Sequence, residues 1–569
     1  MKQVPRDERA LAARIVSALL RENYGGLAGN VVRDGNRVTL RLPGHDHPLP
    51  LEPDGFGADY RVGAGACLTL DDVRDAVAAL AGTRDAAGAA VFDLECRRTL
   101  DETRLRVGSR PPASEGPWTG AAGQLRYDAL AAALPHPVYP ASPCRLGLTD
   151  ADLLACAPEF SPGFELRWAA VPKHLVTRSD PAPGWWPSPA QVGLDPGRAN
   201  TDELFPVHPL FTRGDAALAL AQAGATLAPG PCLEVRPTLS VRTVAVVGRP
   251  DQHVKLPLPA STLGQRNRRC IAPGTLADGA LVGRTLDAVI AADTAASAAD
   301  TAASTADTAD AATGDSPLEG LLLADDSRYA HAGHPGLGYL LRQMPRGLDG
   351  FRVVPVAALT ALTPGGRLVF EELAGPRGVL DLAEEYFRLV FGVAVRLLVK
   401  YGIALESHQQ NAALVTAPGQ PPRLLVKDFD GALLNLARLR AELGRAAPEP
   451  GDFTDRRLLT DSDQALADVF ITITVHLCAG AVAFGLARAG AAPLEELLAR
   501  ARGALRDALD AEGHTPAAKL LRVRVLAADR LTGKSMITAG TLTSKEHTGA
   551  ADINKYYATS GPNYLREPR

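Results

Sequence analysis

Apolar residues recur at three- and four-residue steps in several long stretches, the spacing that puts them on one face of a helix. The segment "LDLAEEYFRLVFGVAVRLLVKYG" (380–402) predicts a helix that stops at Gly402. The N-terminal "RALAARIVSALLR" alternates its apolar residues with Arg14 and Arg21 and predicts an amphipathic helix; an Ala-rich helix follows near 71–82. Other stretches alternate with period two and end at Gly or Pro: "NRVTLRLPG" (36–44), "FELRWAAVP", "TLSVRTVAVVG" and "HVKLPLP" predict strands. "VFITITVHLCAGAVAFGLA" (469–487) is long enough to span a bilayer. It contains Thr472, Thr474 and His476 and has no companion, so it predicts a buried core helix.

Pro and Gly become dense from "SRPPASEGPWTG" through "LPHPVYPASP", which predicts a boundary near residue 130. Residues 131–350 are β-rich in part and 351–569 mostly helical. The Ala/Asp/Thr run at 291–316 has no large apolar group and predicts a mobile surface insertion. At 569 residues the chain exceeds a single core. Its net charge of −4 and pI near 6.3 argue against a bulk nucleic-acid or anionic-membrane binder. Seven cysteines with no CxxC pair argue against a disulfide framework and for the cytoplasm. The charged first nine residues do not read as a signal peptide.

Two polar islands carry the candidate chemistry. In "LESHQQN", Glu406, His408, Gln410 and Asn411 stand between hydrophobic runs; if helical, Glu406 stacks on Gln410 and His408 on Asn411. "VKDFDGA" adds Asp428 and Asp430. One histidine without HxxxH spacing does not suit zinc, whereas Glu406 and Asp428 suit Mg²⁺ with phosphate completing the shell. In "RPTLSVRTVAV", strand alternation sets Ser240 and Arg242 on one face and Thr243 on the other; a hydroxyl and a guanidinium together can hold phosphate or carboxylate. Lys255, then Arg266, Arg268 and Arg269, would extend this into an anion pocket, or form a solvated basic loop. No GxxxxGK[ST], GxGxxG or GxSxG motif is present.

Taken in order, the islands resemble the NRPS-independent siderophore synthetases of the IucA/IucC (aerobactin synthetase) family. The chain carries "HPVYPASPCRLG" (136–147), "PVHP" (206–209), "PTLSVRT" (237–243), "KLP" (255–257), "TLGQR" (262–266), "ESHQQN" (406–411) and "KDFDG" (427–431) in the family's order. The resemblance implies an α+β fold shaped as a cupped hand: thumb (1–130), β-rich nucleotide-binding fingers (131–350) and a largely helical palm with a ferric-reductase-like C-terminal region (351–569). It implies an ATP-dependent ligase that adenylates a carboxylate, of citrate or a citrate- or succinate-derived acid. An amine or hydroxylamine then displaces AMP to give an amide. The implied partners are these small molecules alone, with neither nucleic acid nor membrane, in a homodimer. Ser240, Arg242, Thr243 and Lys255 would hold phosphates, with His136, Gln410, Asn411 and Asp430 also at the nucleotide. Arg266 would grip the acid's carboxylate, His408 would contact acid and nucleotide, and Glu406 and Asp428 would hold Mg²⁺.

In the first motif Tyr139 replaces a histidine and Pro143 a lysine, leaving His136 and Arg145. The segment after Lys255 is one residue short, so Arg266 and Arg268 both remain candidates for the carboxylate clamp. Beyond residue 300 the one cysteine is Cys478, so no iron–sulfur cluster is expected. The alternatives are a family member that binds an acid or siderophore without adenylating it, and the same ligase chemistry in another natural-product pathway.

Overall fold

The computed structural model describes residues 4–109, 116–304, 316–550 and 555–566. The fold is α+β, with helices and largely antiparallel sheets in separate layers. Helix Arg6–Arg21 buries Leu11, Ile15, Val16 and Leu19, and packs beside a four-stranded sheet running from Val31–Asp34 to Tyr60–Val62. Helix Leu70–Ala81 opens on a reciprocal cap: Thr69 accepts from the Asp72 amide while Asp72 accepts from the Thr69 amide.

The central element is a nine-stranded sheet. Its order runs Thr177–Arg178, Asp325–His334, Leu337–Gln343, Arg249–Lys255, Thr243–Val246, Cys232–Pro237, Phe164–Pro172, Asp202–Val207, with Thr226–Leu227 also on Phe164–Pro172. The stretch expected as one strand over 238–248 is shorter: residues 238–242 form a turn, and pairing starts at Thr243, opposite Lys255. A smaller sheet joins Leu321–Leu323, Arg423–Val426, Ala412–Thr416 and Arg352–Pro355.

The predicted C-terminal helix spans Val379–Val399 and packs on helix Leu494–Ala511 and on the long apolar helix Asp463–Arg488. That apolar helix is long enough to cross a membrane, yet 89% of its most apolar window is buried in the core. Its middle, Ile471–Gly480, is π-wound.

Two segments tie the parts of the chain together. Helix Gly120–Ala132 straddles the expected boundary at 130, and its Tyr127 and Ala131 join the core of the C-terminal helices. In the opposite direction, Ile537 and Leu542 return to the core of the N-terminal unit.

The expected mobile insertion at 291–316 is a correction. Its first part continues helix Pro273–Ser304, because alanine favours helix more than any other residue. Asp293 is fully buried there and accepts bonds from Arg396 Nε (3.0 Å), Lys400 Nζ (2.9 Å), Tyr401 Oη (2.8 Å) and the Ser316 hydroxyl. A short acid with four donors is an anchor, which a test for large apolar groups cannot detect. Residues 305–315 lie outside the described residues. Burial raises the Asp293 pKa, but Ser316, Lys400, Tyr401 and Arg396 outweigh it and hold the carboxyl below its usual value. Asp293→Ala should cost about 2–3 kcal/mol in chemical denaturation. A loss under about 0.5 kcal/mol, the usual size at a surface site, would return the segment to the surface class.

Three buried histidines and the two half-buried histidines of the cleft give a pH prediction. Burial lowers His136, His208 and His253 to about 3 and His408 and His476 to about 4. The folded chain therefore refuses protons that the unfolded chain accepts near pH 6.5. Stability falls as pH drops from about 6.5 towards 4, by up to ~1.4 kcal/mol per histidine per pH unit. Melting curves should show Tm falling through that window, and His253→Gln should flatten the slope by about one proton. A Tm flat from pH 7 to 5 would refute it.

Candidate active site

A cleft of about 450 Å³ lies where the nine-stranded sheet meets the helical part, and the returning C-terminal segment adds Lys534, Met536 and Lys555 to its lining. His136, Ser240, Arg242, Thr243, Glu406, His408, Gln410, Asn411, Asp428 and Asp430 all line it. Residues spread over nearly three hundred positions thus converge, delivered by turns, loops and a strand end.

The turn at 238–242 is held by its own side chains. Ser240 Oγ accepts from the Thr243 amide (3.0 Å), Thr238 Oγ1 donates to Thr243 O (2.9 Å), and Val241 sits at φ +63°. Arg242 is braced by donating to Cys270 O at 2.8 Å. Ser240 and Arg242 are therefore turn residues and do not alternate on a strand, as the sequence reading had them.

The segment 405–411 is likewise a turn, leading into strand Ala412–Thr416, so the helical stacking considered for it is absent. Its amides close locally: Asn411 N and Ala412 N both donate to His408 O, at 2.8 and 3.0 Å. The next strand returns through Lys427 N, which donates to Asn411 O at 3.0 Å, and brings in Asp428. Asp428 adopts φ +68°, and its amide donates to Asp326 Oδ2 at 3.0 Å. Behind it, Arg342 grips Asp326 through two bonds of 2.6 Å, both partners buried.

Lys255 reaches across from the sheet to Asp428 Oδ1 (2.5 Å) and Asp430 Oδ2 (3.2 Å). Burial raises the Asp428 pKa, but Lys255, Arg342 and Arg242 more than reverse this and hold it well below the carboxylate range. Asp430 is raised, first by burial and then by the Asp428 charge. Glu406 lies over the same loop and bonds Lys534 Nζ at 3.4 Å. A Cβ on Gly431 would come within 2.3 Å of Glu406 Oε2, so glycine is what lets the carboxylate approach.

Both cleft histidines are neutral and act as donors. His136 Nδ1 accepts from the amides of Val138 (3.1 Å) and Tyr139 (2.9 Å), and His408 Nδ1 from Gln410 N (3.3 Å). Burial lowers both rings below neutral pH, so an accepting Nδ1 leaves the proton on Nε2; His136 can offer it to an anion, whereas His408 Nε2 stands 3.5 Å from the Asn411 side-chain amide.

Four residues differ from expectation. Arg266 does not line the cleft; it donates to Ala539 O at 3.1 Å, where Gly264, at φ +114°, passes against Gly540. Arg268 pairs with Ser261 as an isolated bridge. Arg145 is buried against Glu159 through bonds of 2.6 and 3.0 Å and is a structural cation. Tyr139 is fully buried and donates to Glu95. Within the basic run 266–269 the residue that lines the cleft is Arg269, beside Arg145, Arg242 and Arg457, and it donates from Nε to Thr262 Oγ1 at 2.6 Å. Burial and the neighbouring Arg242 lower it to about 9, so a bound anion would relieve it. Lys534 and Lys555 add cationic lining from the C-terminal segment. Arg269 stands in the basic cluster legible in the sequence, whereas nothing local marks Lys534.

The sequence comparisons agree with this architecture. The model of the IucA / IucC family matches residues 126–361, and that of the ferric iron reductase FhuF-like transporter matches 381–547. The chain is similar to a 2-[(L-alanin-3-ylcarbamoyl)methyl]-3-(2-aminoethylcarbamoyl)-2-hydroxypropanoate synthase of Staphylococcus aureus. They are 24% identical over 52% of this chain and 50% of that one. It is 26% identical to the rhizobactin siderophore biosynthesis protein RhbF of Rhizobium meliloti, over 52% of each chain. The chain spans about half the length of these curated relatives it matches. Among solved structures it resembles the petrobactin biosynthesis protein AsbB of Bacillus anthracis, with TM-score 0.75, 16% identity and 99% and 96% of the two chains covered. ATP-bound aerobactin synthetase IucA of Klebsiella pneumoniae gives TM-score 0.67 at 16% identity, covering 98% of this chain and 100% of that one. The family model, the curated relatives and the solved structures together support a place for the chain among the NRPS-independent siderophore synthetases of the IucA/IucC type. Within the FhuF-like stretch the sequence holds one cysteine, Cys478, which is buried and donates to Ser407 O.

The arrangement predicts which arginine binds anions. Arg269→Ala should weaken binding of inorganic tripolyphosphate by about 30-fold, or ~2 kcal/mol, and Arg266→Ala by less than about threefold. Isothermal titration of both variants checks this, and equal losses would sink the assignment.

Proposed function

We propose that the protein is an ATP-dependent siderophore synthetase. It joins a carboxylic acid of the citrate or succinate-derived class to an amine or hydroxylamine and releases AMP and pyrophosphate. The observation that carries the reading is one cleft lined by cations Arg242 and Arg269 and carboxylates Glu406, Asp428 and Asp430, with Lys255 bonded to the two aspartates from an adjoining pocket. That charge pattern suits a triphosphate and an acid together.

In the first step a carboxylate oxygen of the acid attacks the α-phosphorus and the bond to the β-phosphate oxygen breaks, so negative charge grows on the leaving pyrophosphate. Arg242 and Lys255, braced before any ligand enters, stabilise that charge. Arg269 and the Nε2–H group of His136 would hold the acid. In the second step the amine nitrogen attacks the acyl carbon, AMP leaves and the nitrogen loses a proton; positioning contributes more here than a strong base.

Mg²⁺ fits the donor set in part. Among the described residues no three His, Cys, Asp or Glu side chains group tightly enough to hold a metal by themselves. Glu406 and Asp428 offer hard oxygen donors that phosphate oxygens would complete. When bound there, Mg²⁺ would neutralise phosphate charge.

A screen of di- and tricarboxylic acids for AMP formation, with and without amines, tests the reading. Acid-dependent AMP formation is expected, as is a many-fold rise in the Mg²⁺ requirement in Asp428→Asn and Glu406→Gln. Acid binding with no AMP from any acid would replace the ligase with an acid- or siderophore-binding protein, and Asp428→Asn at full turnover in limiting Mg²⁺ would remove the metal role.

A further inference from the structure

Two cleft-lining segments are fastened to the N-terminal unit by directed polar bonds. The first is the loop from His136 to Ser142, and the second runs from Lys534 to Leu542; His136, Ser142, Lys534 and Met536 line the cleft. From helix Arg6–Arg21, Arg14 donates to the carbonyls of Pro140 and Ser142, the latter at 3.0 Å, and Arg21 to Val138 O at 2.6 Å. The next residue, Glu22, caps the second segment: it accepts from Ile537 N (3.0 Å), Thr538 N (2.9 Å) and Thr538 Oγ1 (2.8 Å). Glu95 bonds both segments at once, accepting from Tyr139 Oη and from Thr541 Oγ1 (2.6 Å).

We infer that the N-terminal unit is a positioning element of the cleft, in which Glu22 and Glu95 set where the His136 loop and the Lys534 segment stand. Tyr139, which replaces the motif's histidine, is one of its fastenings. Apolar contact already makes the parts meet, since Ile537, Leu542, Tyr139 and Ala141 share the N-terminal core. Such packing is non-directional, however, and tolerates sliding. Burying two carboxylates is costly and is offset here by donors from the two segments, so these bonds fix register rather than mere association. Lys534, carried on the capped segment, reaches Glu406, so a shift at Glu22 passes to the anion site. Glu22, Glu95 and Tyr139 touch no ligand and act through the walls they hold.

The kinetic part of the test rests on the proposed ligase reading; the exchange part does not. Tyr139→Phe keeps the ring and loses the hydroxyl's bonds to Glu95 and Thr541, and Glu22→Gln keeps one acceptor. Glu8→Ala is the control, because Glu8 accepts from Leu70 N at 3.1 Å within the N-terminal unit and touches neither wall. Hydrogen exchange on the substrate-free full chain should speed up about tenfold or more at the amides of Val138, Tyr139, Ala141 and Ser142 and at 535–542 in both variants but not in Glu8→Ala. The acid's KM should rise about tenfold with kcat within threefold, while Glu8→Ala leaves KM unchanged whatever its Tm. Glu22→Ala should exceed Glu22→Gln in both readouts. Unchanged exchange at both segments, or KM shifts that track Tm loss across all variants including Glu8→Ala, would overturn the inference. Loosened exchange in a protein that forms no AMP with any acid would uphold it and remove the ligase reading instead.

Discussion

One ammonium held between two aspartates organises the site. Lys255, at the end of a sheet strand, bonds Asp428 and Asp430, which stand two residues apart on a loop of the helical part. Without that charge the two carboxylates would repel at close range in a desolvated place. With it they divide their roles: Asp428 stays ionised, while Asp430 is pushed up by burial and by its neighbour. The Arg342–Asp326 pair behind them fixes the loop backbone through the Asp428 amide. The same contact couples the sheet to the helical part at the point where the cleft opens.

The cleft is built from turns. Its polar residues follow strand ends at 238–242, 405–411 and 427–431, where backbone amides bond to nearby carbonyls and side chains. This economy leaves the guanidinium donors of Arg242 other than the one on Cys270 O for a ligand. Cations also come from the far end of the chain, because the segment after residue 530 doubles back beneath the N-terminal unit to deliver Lys534.

Where the sequence reading went astray, a rule of local pattern met a tertiary contact. Alternation in "PTLSVRT" was taken for strand, yet Val241 adopts a left-handed conformation and the chain turns. The run at 291–316 has no large apolar group, yet Asp293 is fixed by cations a hundred residues away, which no window of composition contains. In "TLGQRNRR" the spacing favoured Arg266 or Arg268. The close passage of Gly264 against Gly540 turns Arg266 towards a carbonyl and leaves Arg269 in the cleft.

By itself the sequence determined the helices at 6–21 and 379–399, the strand Phe164–Pro172, the buried helix around 469–487 and the ordered motifs that mark the family. These follow from periodicity and residue type, which act between near neighbours along the chain. It also supplied ten side chains that line one cleft. Only the tertiary structure decided which arginine of the 266–269 run lines that cleft, that Tyr139 meets Glu95, and that Glu22 caps a segment more than five hundred residues away. Those choices turn on angles and distances between segments remote in sequence, where burial makes each unpaired donor or acceptor costly enough to select one arrangement.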